Sequence, residues 1–288
     1  MSADNEDYTM RNRLNAARVL TSVLILFPLL GTGCADLSAI QEFASISARS
    51  AEYTGLVDQY VGSPARQKRF QPPDQQEQLD QTTRLRAAQR ERLLLRLRVV
   101  AEYMNALGQL AADDVVDFDK GIGELKEAVV ENKFAGEKDA GAFSSVSNVL
   151  VRVSTDGWRK KELKNLIAES NGPFQEIVGA LQIIVQQDFP RDIANEEEAM
   201  TKYYQTLIHS SSDRAGIAAL AEWEETRMAE AAVRARSDSC YSQVLSKISS
   251  GHQQLFEKRD DLGSQELVRQ LTQYASELRN LFNSIKSL

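Results

Sequence analysis

Few side chains in this 288-residue sequence are suited to catalytic chemistry. It has two histidines, His209 and His252, and two cysteines, Cys34 and Cys240. The sequence lacks the spaced histidine and acid motifs of zinc and di-iron sites, the Gly-x-Ser-x-Gly elbow of serine hydrolases, and glycine-rich phosphate loops. We therefore expect no enzyme activity, no cofactor and no metal site. Both histidines are expected to have structural roles.

Residues 113–119 contain four aspartates, and such a cluster of carboxylates can bind calcium. The calcium-loop template is not met, because Gly121 stands at the fifth position counted from Asp117, where a ligand is needed. Ile122 then occupies the position that the template reserves for glycine. The cluster is interpreted as the solvated start of a helix.

Guanidinium groups are concentrated in one short segment of the chain. It contains Arg84, Arg86, Arg90, Arg92, Arg96 and Arg98. Two interpretations are open: the six arginines contact an anionic surface such as lipid head groups, or they pair with acids on neighbouring helices. A nucleic-acid role is not expected, because the whole chain has a formal charge of −7.

The N-terminal region has the pattern of an export signal. Three arginines at positions 11, 13 and 18 precede an uncharged run, whose apolar part extends from Val19 to Leu30. A helix that spans a membrane usually needs about 20 apolar residues, so this run is short for an anchor. Residues 1–33 are therefore predicted to be a signal peptide that is cleaved.

The end of this run, Leu-Leu-Gly-Thr-Gly-Cys, resembles the lipobox of bacterial lipoproteins, with Gly31 where the family usually has leucine. The resemblance implies cleavage between Gly33 and Cys34, and acylation of Cys34 with membrane-embedded chains such as palmitate. Ala35 follows the cysteine where the family's inner-membrane retention signal has aspartate. An outer-membrane location is thereby implied in a host with two membranes.

A second interpretation of the same segment remains open. Gly31 and Gly33 also fit the small-x-small pattern of ordinary secretory cleavage, which would give a periplasmic or secreted product. In that product Cys34 and Cys240 could form a disulfide.

The rest of the chain has the features of an all-α protein. Residues 74–172 and 191–288 contain no proline, and apolar residues recur at alternating spacings of three and four in 93–111 and 267–288. These patterns predict an elongated antiparallel bundle of about seven helices, several of them long. The predicted helices cover residues 37–60, 74–111, 113–131, 138–169, 173–210, 213–258 and 265–288. Breaks are expected at Gly62–Pro64 and Asn171–Pro173, and a kink at Pro190.

The predicted organisation has three parts. The signal peptide, 1–33, is followed by a lipid-anchored first helix and basic connector, 34–73, and by a helical bundle domain, 74–288. The apolar seam of 267–288 is also a candidate for dimerisation through the last helix.

We expect an exported, membrane-anchored helical lipoprotein that binds or scaffolds other components of the bacterial cell envelope. Its partners would be membrane lipid, through acylated Cys34, and an envelope protein or a second copy of the chain. The alternative is a helical ligand-binding sensor or carrier domain in the periplasm. Its pocket would be lined by Phe189, Tyr203, Tyr204 and Trp223.

Overall fold

The computed structural model describes residues 37–114, 121–156, 158 and 160–288. These residues form helices and connecting turns, with no β-strand among them, and Leu37–Leu288 is one compact unit. The all-α bundle predicted from the periodicity is therefore confirmed. The predicted signal peptide, Gly33 and Cys34 lie outside the described residues.

The bundle is built from helices of very different lengths. In chain order they are α1 Ser38–Ala51, α2 Gly55–Lys68, α3 Pro73–Ala111, α4 Gly121–Val130, α5 Ala140–Thr155, α6 Leu163–Ile183, α7 Phe189–Ser210, α8 Arg214–Glu257 and α9 Gln265–Ser287. A π-helical turn, Ile184–Asp188, joins α6 to α7 without a loop. Within the described residues, no helix is long and apolar enough to cross a bilayer.

The predicted first helix, 37–60, is in fact two helices, and the break predicted at Gly62–Pro64 is wrong. Pro64 lies inside α2, although proline cannot donate a hydrogen bond to the carbonyl four residues earlier. That carbonyl belongs to Tyr60, and it accepts a hydrogen bond of 3.0 Å from Nη1 of Arg86 on α3. A contact from another helix therefore supplies the donor that Pro64 lacks, and α2 continues to Lys68.

The break predicted at Asn171–Pro173 is also wrong, because these residues lie within α6. Leu166, Ser170 and Phe174 are buried at helical spacing across this segment, so core packing holds the helix together. The kink predicted at Pro190 takes the form of the π-helical turn just before it. Pro190 then lies in the first turn of α7, directly after this wider turn.

Helix α9 packs onto the core of its own chain and does not present its apolar seam for dimerisation. It packs against α1 and α8, and the side chains of its seam, Leu267, Leu271 and Leu278, have no exposed surface. This seam is therefore intramolecular core, and the dimer suggested by its heptad spacing is not available through it.

The core between α1 and α8 is tightly packed around Phe43, whose side chain is fully buried. A β-carbon added at Gly251 of α8 would lie 2.2 Å from Cζ of Phe43, a separation that real structures do not show. Glycine at this position lets the α8 backbone approach the aromatic ring of α1.

Candidate functional site

Most of the arginine-rich segment is engaged with carboxylates of this chain. The ion pairs are Arg86 with Asp192, Arg90 with Asp58, Arg92 with Glu137, Arg96 with Asp139 and Glu137, and Arg98 with Glu124. These arrangements favour pairing with neighbouring elements over contact with an external anionic surface. Arg84 is exposed and forms no ion pair with the described residues, so it remains a candidate for such contact.

The most buried of these pairs joins α3 to the turn before α5. Nε and Nη2 of Arg96 each lie 2.7 Å from one oxygen of Asp139, in a two-pronged contact. Burial opposes the charge of Arg96, but the hydrogen bonds that Asp139 and Glu137 accept from it, together with their negative charges, outweigh burial and raise the pKa of the guanidinium. The guanidinium also lies over the Phe134 ring, 4.9 Å from its centroid. This geometry is that of a structural cross-link.

A second buried charge cluster joins α2, α7 and α8. Glu196 is 2% exposed and lies 2.8 Å from Nη2 of Arg234 and 3.3 Å from Nε of Arg66. Removal of water from around Arg66 lowers its pKa, and the carboxylate of Glu196 partly offsets this. Glu196, the first residue of the acidic run 196–198, is therefore a buried ion-pair partner.

The two histidines lie in unlike surroundings. His252 is fully buried, with Nε2 2.6 Å from Oη of Tyr103 and Nδ1 3.0 Å from Oδ1 of Asn171. Burial lowers the pKa of His252 to about 3, so the ring is neutral at ordinary pH. The three side chains tie α3, α6 and α8 together in the core. His209 is exposed near the end of α7, and its Nδ1 lies 2.7 Å from the carbonyl oxygen of Gln205.

A helical hairpin, residues 201–230, has little buried surface, and we name it the arm. It comprises the end of α7, the turn at 211–213 and the start of α8, and Tyr204 is its only buried residue. The turn is fixed by Asp213, whose carboxylate accepts hydrogen bonds from the backbone N–H groups of Ala215 and Gly216, at 3.1 and 3.0 Å. The arm therefore has stable local geometry but contributes little to the core.

Trp223 is the most exposed large aromatic side chain of the arm. It is 58% exposed, although indole is among the most favourable groups to bury. The helix segment around Trp223 is acidic, with Glu222, Glu224 and Glu225 next to it in the sequence. An apolar anchor beside a charged rim is the pattern of protein interaction surfaces.

A groove of about 620 Å³ lies beside the base of the arm, between α7 and the connector from α2 to α3. Phe70, Pro72, Pro73 and Tyr203 form its apolar walls, and side-chain amides and Lys202 add polar groups. The rings of Phe70 and Tyr203 meet edge to face, with centroids 5.7 Å apart. The basic connector predicted before residue 74 therefore forms one wall of a groove, and Phe70 with the paired prolines 72 and 73 is the sequence signal for this shaped surface.

The ligand pocket predicted from four aromatic residues is not formed by the described residues. Tyr203 lines the groove, whereas Tyr204 is buried beside Phe70, with centroids 6.0 Å apart. Phe189 lies in the core against Tyr60, and Trp223 is on the surface of the arm. Helical spacing alone does not reveal that these four residues lie in four different surroundings.

The structure also describes Trp158, Cys240 and part of the aspartate cluster of residues 113–119. Trp158 packs against the core, with the guanidinium of Arg152 5.9 Å from its ring centroid. Cys240 is partly buried and forms no disulfide with a described residue. Most of the aspartate cluster lies outside the described residues, and within the described ones no three side chains gather as a metal-binding set.

Comparisons of the chain with protein-family models, curated proteins and solved structures find no match. Its function must therefore be argued from its own residues and their arrangement.

Proposed function

We propose that this chain is an exported lipoprotein, anchored in a membrane through acylated Cys34, that binds a protein partner of the bacterial cell envelope. The arm and the groove beside it form the docking surface. The outer membrane is the favoured location in a host with two membranes. The lipobox-like segment supports the anchor, and the exposed arm supports the binding role.

The observation that carries the binding role is the poor burial of the arm. Thirty consecutive residues, 201–230, comprise the end of one helix, a turn and the start of the next helix, and only Tyr204 among them is buried. Isolated helices in water are marginal and gain most of their stability from packing. A hairpin of this length on a well-packed core is better suited to presenting a surface than to stabilising the fold.

The surface chemistry indicates the kind of partner. Trp223 offers a large apolar side chain, and the helix segment that carries it is acidic, with Glu222, Glu224 and Glu225. A complementary partner has an apolar pocket bordered by lysine or arginine. Acyl chains at Cys34 would hold the protein at the membrane, since more than one chain gives stable attachment.

Site-specific cross-linking in the native host tests this proposal. A photoreactive amino acid replaces Trp223 in one variant and Leu85 in another, because both side chains are large and similarly exposed, at 58% and 59%. We expect a discrete protein adduct from position 223 and none from position 85. Equal labelling from both positions, or no adduct from position 223, would refute docking through the arm.

A second candidate function is supported by the groove. Its volume of about 620 Å³ and its aromatic and amide lining lie within the range of small-molecule sites. In this alternative the chain is a periplasmic ligand-binding domain, and the arm supplies one wall of the site. Tyr203→Ala would then abolish ligand-induced thermal stabilisation, whereas Leu85→Ala would leave it unchanged.

A further inference from the structure

A second cavity lies apart from the arm, between α7, α8 and the π-helical turn. It has a volume of about 490 Å³, and we name it the Asp238 pocket. Val185, Pro190 and Ile193 provide an apolar wall, and Asp238 and Glu197 add carboxylates. The pocket therefore combines apolar surface with negative charge.

Asp238 is the unusual residue of this pocket. It is 3% exposed, and its Oδ1 has no hydrogen-bond partner among the described residues. Arg234, one helical turn earlier, is paired with Glu196 instead. Burial alone raises the pKa of the Asp238 carboxyl to about 7. A carboxylate in such a position is costly unless a positive group or a hydrogen-bond donor meets it.

The π-helical turn shapes one side of the cavity. Pro190 cannot donate a hydrogen bond to the carbonyl of Gln186 four residues earlier, and the wider turn at Ile184–Asp188 immediately precedes the proline's helix. Val185 and Gln186, both in this turn, line the pocket. Such turns occur frequently at functional sites, because they locally change the register of a helix.

We propose that the Asp238 pocket binds a small organic cation, whose ammonium group pairs with Asp238 and whose short apolar body packs on Val185 and Ile193. A metal ion fits less well, because the described residues offer no set of three ligand side chains here. An organic ammonium needs only one strong carboxylate contact and an apolar wall. This activity goes beyond the proposed protein docking and uses different residues.

Methyl-group NMR of the full chain in detergent tests the proposal at the site itself. The protein, labelled at valine and isoleucine methyl groups, is titrated with n-butylammonium and, separately, with n-butanol, which has the same chain without the charge. We expect butylammonium to shift the Val185 and Ile193 signals saturably, and butanol to leave them unchanged. Equal shifts with both compounds, or no shift with butylammonium, would overturn the proposal.

Two variants assign the effect to the carboxylate. Asp238→Asn keeps the shape of the side chain and removes its charge, so we expect at least about tenfold weaker binding of butylammonium. Glu52→Gln removes the same charge from an exposed position outside the pocket and the arm, and we expect binding to be unchanged. Unaltered affinity in Asp238→Asn would refute the pairing. The comparison of the two compounds on the unmodified chain stands even if this variant does not fold.

Discussion

Replacement of Asp238 by asparagine should stabilise the protein at neutral and alkaline pH. The carboxyl has a pKa of about 7 in the fold, against 3.8 as its ordinary value, so the unfolded chain loses this proton first as the pH rises. The free energy of unfolding contributed by Asp238 therefore falls between about pH 4 and pH 7 and then levels off. A separation of about 3 pH units corresponds to about 4 kcal/mol, because each unit is worth 1.36 kcal/mol.

The assay is urea unfolding of the chain and its Asp238→Asn variant, followed by circular dichroism at several pH values. We expect nearly equal stability at pH 4, an advantage of about 2 kcal/mol for the variant at pH 5.5, and about 4 kcal/mol at pH 8. Glu197→Gln, in the same pocket but partly exposed, serves as the control and should show a much smaller change. A pH-independent difference between Asp238→Asn and the unmodified chain would refute the reasoning.

Three further substitutions, one of them with a matched control, test the core packing, the Glu196 charge cluster and the buried histidine. Gly251→Ala should cost about 1 to 3 kcal/mol in urea unfolding, because its β-carbon would overlap Phe43, whereas Gly179→Ala, with open space around it, should be neutral or stabilising. Glu196→Ala should cost about 3 to 5 kcal/mol in the same assay, since two largely buried arginines lose their shared partner, and a loss below about 1 kcal/mol would contradict this. His252→Phe removes a group that stays neutral in the fold down to about pH 3 but binds a proton in the unfolded chain below about pH 6.5. The free energy of unfolding of the variant, relative to that of the unmodified chain, should therefore rise as the pH falls from 6.5 to 4, by up to about 1.4 kcal/mol per pH unit. Parallel pH profiles of the two proteins would contradict that assignment.

The helices whose ends carry local signals were predicted well from the sequence. Prediction placed one helix at 213–258, and α8 runs from Arg214 to Glu257, because Asp213 caps its first turn and turn-forming residues follow its end. The last helix begins at Gln265, as predicted. Both segments have a strong apolar periodicity and clear start and stop signals at their ends.

The breaks predicted at Pro64 and Pro173 are wrong because contacts elsewhere in the fold compensate for each proline. Pro64 stays inside α2 because Arg86, far along the sequence, donates to the freed carbonyl of Tyr60. Pro173 stays inside α6 because residues on both sides of it bury the same helix face. Neither compensation can be inferred from residues near the proline.

The functional features were harder to predict for a similar reason. Asp238 lies between two serines and has the local pattern of a solvated helix face, yet packing on α7 buries it. The sequence leaves two interpretations of the arginine segment open, because the acids that pair with these arginines lie on other elements of the fold. Charge spacing reveals which groups are present, but only the tertiary arrangement determines whether each one is paired.

The most direct test of membrane anchoring is the mass of the N-terminal peptide of the protein recovered from membrane and soluble fractions of its own host. We predict a peptide that begins at Cys34, carries acyl chains and comes from the membrane fraction. An unmodified peptide in the soluble fraction would contradict the anchor. It would indicate a periplasmic or secreted protein in which Cys34 is free to pair with Cys240.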